Sequence, residues 1–254
     1  MMSSTAPPLE TLARLRGAIG AVRGIEGAVL PFGIEAVDTR LTGGGLALGG
    51  LHETSSATPT LTDDAAATLF AVGIAARAAA LSGRRVLWAL TRFDLYAPGL
   101  EQAGLSPATL FFAEVREDKD VLAVMEDGLR HGGLAAVVGE VKRADMVATR
   151  RLQLAAMTGN TPALLSRRWR RQGTCPLTEL SAAMTRWRIA CAPSAPLLAP
   201  GVGRARWMVE LARQRGGPGF TMDLEACDDT GRLALPAASR DRATATAGAA
   251  ARAA

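Results

Sequence analysis

Val86-Leu87-Trp88-Ala89-Leu90 is an unbroken apolar run set between Arg84-Arg85 and Thr91-Arg92. A strand with no polar alternation has no face to offer water, so it belongs inside a parallel sheet covered on both sides. Short apolar segments recur at residues 51–54, 109–112, 134–138 and 162–165, with helical segments between them. The first helix follows the strand at Leu51. Thr60 or Thr62 caps it, Asp63 and Asp64 occupy its first turn where the backbone dipole favours anions, and Leu69, Val72, Ile74 and Ala76 carry it to a stop at Ser82-Gly83. Residues 118–129 read as a helix ended by Gly132-Gly133, and residues 144–157 as one closed by Gly159-Asn160. Strand and helix units repeating at this spacing predict an α/β fold with a mainly parallel sheet flanked by helices.

Beyond Ser181 the texture changes. Residues 187–191, 207–211, 220–224 and 233–235 read as strands, separated by Pro193-Ser194, Gly216-Gly217-Pro218-Gly219 and Asp228-Asp229-Thr230-Gly231. They predict an antiparallel, β-rich C-terminal extension added to the sheet edge. Upstream, Leu9, Leu12, Leu15, Ile19 and Val22 recur at steps of three and four, the stripe of an amphipathic helix over residues 9–22 that Gly24 and Gly27 end. Packing of that stripe on the protein's own body is favoured over docking to a partner. Residues 237–254 are almost all Ala, Thr, Arg and Ser and predict a disordered tail. The chain thus divides into an N-terminal helix and linker (1–28), an α/β domain with its β extension (29–236) and the tail (237–254).

The chain has 254 residues, 48% of them hydrophobic, enough for a real core and too many for a disordered or collagenous protein. Its net charge is +5, and only Lys119 and Lys142 among the 29 basic residues are lysines. An arginine bias this strong, beside so much Ala and Gly, reflects GC-rich coding as readily as selection, so the basic balance is only a weak pointer to nucleic acid. Cys175, Cys191 and Cys227 form no C-x-x-C pair, so neither a disulfide framework nor a zinc knuckle is expected and a reduced cytosol fits best. Met1 to Glu10 carry no cationic stretch ahead of an apolar run, and no unbroken apolar stretch of about 18 residues occurs. A soluble, cytoplasmic protein away from membranes is expected.

The strand at Leu51 and the helix after Thr62 stand where an α/β nucleotide-binding protein keeps its phosphate loop. Such a loop needs Gly for close backbone approach, Lys to reach the phosphates and Ser or Thr for the metal. Here Ser55-Ser56-Ala57-Thr58-Pro59-Thr60-Leu61-Thr62 contains no glycine, and no lysine precedes position 119. Asp63 and Asp64 already place two carboxylates at the helix start, and like charges about 4 Å apart repel by roughly 1 kcal/mol even in water. The strand at 134–138 runs into Gly139-Glu140-Val141, where an ATPase would hold Mg²⁺ with an Asp; Glu140 comes one residue late and on the other face. The strand at Trp88 ends in Thr91-Arg92 where a carboxylate would activate water. No cofactor, no metal and no catalysis are expected of this site, and His52 and His131 are too isolated for a metal or a general base.

The lead-in from Leu30 to Asp38 (Leu-Pro-Phe-Gly-Ile-Glu-Ala-Val-Asp), with Leu41-Thr42-Gly43-Gly44-Gly45-Leu46 and Gly49-Gly50-Leu51-His52-Glu53, resembles the start of the RecA-like core. The segment from Ser181 to Ser194, which includes Thr185-Arg186-Trp187-Arg188, is similar to the ImuA family, and so is the stretch from Gly201 to Gly219 with its Arg215-Gly216-Gly217 turn. The resemblance spans roughly residues 30–235. It implies a RecA-like core with a degenerate phosphate loop, in a DNA-damage-induced (SOS) accessory factor for error-prone translesion synthesis and mutagenesis. The partners it implies are the inactive Y-family polymerase homologue ImuB and an error-prone DNA polymerase III alpha subunit, with RecA and DNA as further candidates. Members of the family also resemble the division inhibitor SulA, so inhibition of a cell-division polymer is the alternative function, and an ATPase with an unorthodox site is a second one.

The remaining candidate site is Arg167-Arg168-Trp169-Arg170-Arg171, at the carboxyl edge of the sheet. Four arginines around a tryptophan suit phosphate contact with base stacking, or an acidic partner with Trp169 as anchor, or simply a solvated loop. Arg150 and Arg151 on the preceding helix extend the same patch or mark an exposed helix face. Arg186 and Arg188 alternate with Trp187 and Ile189, so they should face away from the core, while Trp187 and Trp207 belong to it.

Overall fold

The structure is a computed structural model that describes residues 27–170, 174–194, 201 and 203–236. The amphipathic stripe at 9–22, Arg171 and the tail at 237–254 lie outside the described residues. Ten strands and five helices run in the order β1 (Val29–Leu30), α1 (Glu35–Asp38), β2 (Leu46–Ala47), β3 (Leu51–Ser56), α2 (Leu61–Ser82), β4 (Val86–Leu90), α3 (Ala97–Gln102), β5 (Leu110–Glu114), α4 (Asp118–His131), β6 (Ala136–Val141), α5 (Met146–Gly159), β7 (Ala163–Arg167), β8 (Thr185–Ala192), β9 (Arg206–Gln214) and β10 (Phe220–Glu225) among these residues.

Eight strands form one sheet in the order β10-β9-β8-β3-β7-β6-β4-β5, and β1 pairs with β2 in a small antiparallel ribbon. From β8 to β5 every pairing is parallel; β9 pairs antiparallel with β8 on one side and with β10 on the other. The expected antiparallel extension is therefore corrected by one strand, because β8 joins β3 in parallel register, with Thr54 opposite Trp187. The strand expected at 233–235 reduces to a single bridge between Glu225 and Ala234.

Side-chain alternation assigns each face of the sheet to a layer. Trp88, Val138, Leu164 and Trp187 face α2, whereas Ala89, Val137, Leu165 and Leu51 face α4 and α5. The start of α2 is fixed by Thr60, whose side chain accepts from the Asp63 N–H, and its end by Gly83 in the left-handed region. This helix is apolar and long enough to cross a membrane, but most of it is buried in the protein. Gly73 is required at its middle, where a Cβ would strike Cys227 Sγ and come within 3.0 Å of the Gly231 carbonyl. On the other face Gly159 lets α5 cross α4, since a Cβ there would fall on the Leu129 carbonyl.

The glycine-rich lead-in is pinned at two points. Asp38 accepts from the N–H groups of Phe32 (2.7 Å) and Gly33 (2.8 Å), and Phe32 stacks with Phe70 and Trp187 under the guanidinium of Arg77. Buried Gln214, at the end of β9, accepts from Thr42 N–H (3.0 Å) and donates to the carbonyls of Arg40 (2.8 Å) and Pro218 (2.7 Å). One amide thus joins the turn before Gly43 to the turn that holds Gly216 and Gly217.

Candidate functional site

The carboxyl ends of β4, β6 and β7 and the first turn of α2 enclose a cleft of about 520 Å³, lined among others by Leu61, Thr91, Arg92 and Lys142. Arg168, the first residue past β7, turns its guanidinium into this cleft. Its Nε donates to Glu140 Oε2 at 2.8 Å, its Nη1 bonds Asp64, and Asp94 stands 3.6 Å from Nη2. Glu140 accepts from Trp88 Nε1 through its other oxygen, at 2.8 Å. Burial pushes the Glu140 carboxyl up, opposed by the Arg168 charge. Burial by itself lowers the Arg168 pKa, but Glu140 and Asp64 outweigh it and leave the guanidinium raised and firmly charged.

Glu140 corrects an expectation. It faces the cleft and not away from it, because β6 runs on to Val141 and the even-numbered residues Ala136, Val138 and Glu140 share the α2 face. The two aspartates of the helix start divide their work. Asp64 holds Arg168, while Asp63 accepts from Thr58 Oγ1 (2.6 Å) and from the N–H of Cys191 (2.8 Å), which ties the β3–α2 loop to the end of β8. Trp169 closes the loop from above by donating to the Ser56 carbonyl at 2.9 Å.

Arg167 also departs from the expected surface patch. It is buried on the opposite face of the sheet, where its Nη1 meets Glu53 at 3.0 Å and its Nη2 meets Glu179 at 2.5 Å. Arg186 completes this cluster through a 2.7 Å contact from Nε to Glu53. Arg186 does point away from the Trp187 layer, but into a second interior and not into water, because the chain around Glu179 and Ser181 covers it. Arg188 lies on the same side and pairs with Glu210 at 2.6 Å. Among the described residues of the basic segment, 167–170, only Arg170 is exposed, and it leans on Glu179 at 2.8 Å. Arg150 and Arg151 are exposed on α5, away from the cleft, and Arg151 pairs with Glu126.

Sequence reasoning gives no role to Glu53, Asp94 or Glu179. A carboxylate inside the buried strand 51–54 is the one signal that demands a cation, and Arg167 and Arg186 answer it. His52 is fully buried between Thr185 Oγ1 (2.8 Å) and the Ala47 carbonyl (2.9 Å), a structural position, and no cluster of metal-binding side chains occurs among the described residues.

A mainly parallel sheet flanked by helices, with antiparallel strands at its C-terminal edge and a cleft at the carboxyl ends of its strands, defines a RecA-like recombinase fold. The crystal structure of the RadB recombinase superposes with a TM-score of 0.54 at 18% identity, covering 81% of this chain and 99% of that one. Two relatives, each described as Protein ImuA and each from a strain of Caulobacter vibrioides, are 40% identical over 194 residues, 74% of this chain and 80% of theirs. The chain belongs to the ImuA family. No family model matches it.

Proposed function

We propose that this chain is a non-enzymatic, cytoplasmic accessory factor in DNA-damage-induced, error-prone translesion synthesis that acts by contact with an ImuB-type Y-family polymerase homologue. Membership of the ImuA family supports the mutagenesis role. The non-enzymatic reading rests on one observation: a guanidinium held by Glu140 and Asp64 lines the cleft between the first turn of α2 and the ends of β6 and β7. A triphosphate entering there would meet Asp64, Glu140 and Asp94 as well as Arg168, and would have to break the ion pairs already made. The loop before α2 contains no glycine and no lysine to compensate.

The test is co-purification with the ImuB-type homologue encoded by the same genome, with and without Mg²⁺-ATP. The reading expects a stable complex whose formation is indifferent to nucleotide. Failure to form the complex, or a complex that needs ATP, overturns it.

A further inference from the structure

The solvent face of α5 is unlike that of its neighbour. On α4 the exposed positions include Lys119, Asp127 and Arg130, as a solvated helix requires. On α5 the inward face is complete with Thr149, Leu152, Gln153, Ala155 and Ala156, yet Val147, Leu154 and Met157 stand 67%, 56% and 59% exposed on the outward one. Advancing 100° per residue places Met146, Val147, Arg150, Leu154 and Met157 within one arc of about 100°. The steps 147, 150, 154 and 157 are three, four and three, the spacing by which one helix seats another along a seam.

The charge on that arc selects the occupant. Arg150 lies within the apolar stripe and makes no ion pair among the described residues, while Arg151 beside it shares the single carboxylate Glu126 with Arg130. Lys142 and Arg143, both exposed, precede the helix. A second copy of the chain would bring these cations against one another, in a protein already at +5. We propose that the outward face of α5 is the docking surface for an amphipathic helix of the ImuB-type partner, one that presents apolar residues to Val147, Leu154 and Met157 and a carboxylate to Arg150. This assignment rests on the partner reading given above.

The experiment measures equilibrium binding of the purified full chain to the purified ImuB-type homologue. Leu154→Glu should weaken binding by more than about 10-fold, as for a residue at the centre of an interface, and Arg150→Glu should weaken it and flatten its salt dependence. Both positions are exposed, so the circular dichroism and urea midpoint should not move. Ala123→Glu on α4 is the control and should bind normally. Unchanged affinity in Leu154→Glu, with the unmutated chain binding, overturns the α5 assignment and leaves the partner reading standing. No binding by the unmutated chain removes the partner reading and the assignment with it. Self-association that Leu154→Glu abolishes overturns the assignment in favour of a second copy, and a lowered urea midpoint in Leu154→Glu overturns it in favour of the chain's own 9–22 stripe.

Discussion

Glu140 Oε2 accepts hydrogen bonds from both Nε and Nη2 of Arg168, at 2.8 and 2.5 Å. The fork of a guanidinium matches one carboxylate in this way while its third nitrogen reaches Asp64, so Arg168 cross-links β6, β7 and the start of α2.

Removing that cross-link leaves Glu140, Asp64 and Asp94 without the cation that pairs with all three. Arg168→Ala should therefore lower stability by about 2 kcal/mol, reduced from the full cost of breaking a buried pair because the side chain keeps some solvent contact. Urea unfolding measures this. Glu140→Gln in the Arg168→Ala background should recover part of the loss, and a double-mutant cycle without coupling would contradict the geometry.

The second charge cluster carries a larger penalty. Glu53 and Arg167 have fully buried side chains, and Arg186 is nearly so. Arg167→Met leaves Glu179 without its buried partner and Glu53 with Arg186 alone, and should cost about 3–5 kcal/mol in a urea titration. A loss below about 1 kcal/mol would mean the cluster is hydrated.

Burial lowers the His52 pKa from 6.5 to about 4, against the opposing hydrogen bond to the Ala47 carbonyl. Between these values the unfolded chain binds a proton that the folded chain refuses, so stability is highest above pH 6.5 and falls as the pH drops toward 4. The full loss is about 3 kcal/mol. His52→Gln should flatten this limb of the stability profile, and an unchanged profile would contradict the assignment.

The cysteines should react unequally. Burial pushes the Cys227 thiol up to about 12, and the side chain packs against Gly73 of α2. At pH 8 a thiol reagent should modify the exposed Cys191 quickly and the half-buried Cys227, with little thiolate, far more slowly. Gly73→Ala, which drives a methyl into the same contact, should cost about 1–3 kcal/mol of stability, read as a lower urea midpoint. Fast labelling of Cys227 in the folded protein would place it elsewhere.

The layered architecture was legible because it rests on local signals. The apolar run at Val86–Leu90 became β4 without adjustment, Thr60 caps α2, and Gly83, Gly132 and Asn160 end their helices in the left-handed region. The residue types of the β3–α2 loop, with neither glycine nor lysine, were readable from the sequence alone. The ion pairs beside that loop were not, because Arg168 meets Asp64 across 104 residues of sequence and Glu140 across 28. Arginine identity says nothing about direction: Arg167 and Arg168 are adjacent, yet one is buried beneath the sheet and the other enters the cleft above it. The parallel placement of β8 follows from where Trp187 must pack, against Phe32 and Phe70, which no local pattern encodes.

The proposed function depends on the Arg168 guanidinium closing this cleft to nucleotide, and equilibrium binding of a fluorescent ATP analogue with Mg²⁺ to the purified chain is the decisive measurement. No saturable binding at micromolar protein is expected. Saturable binding that is abolished by Asp64→Ala or Glu140→Ala would contradict it.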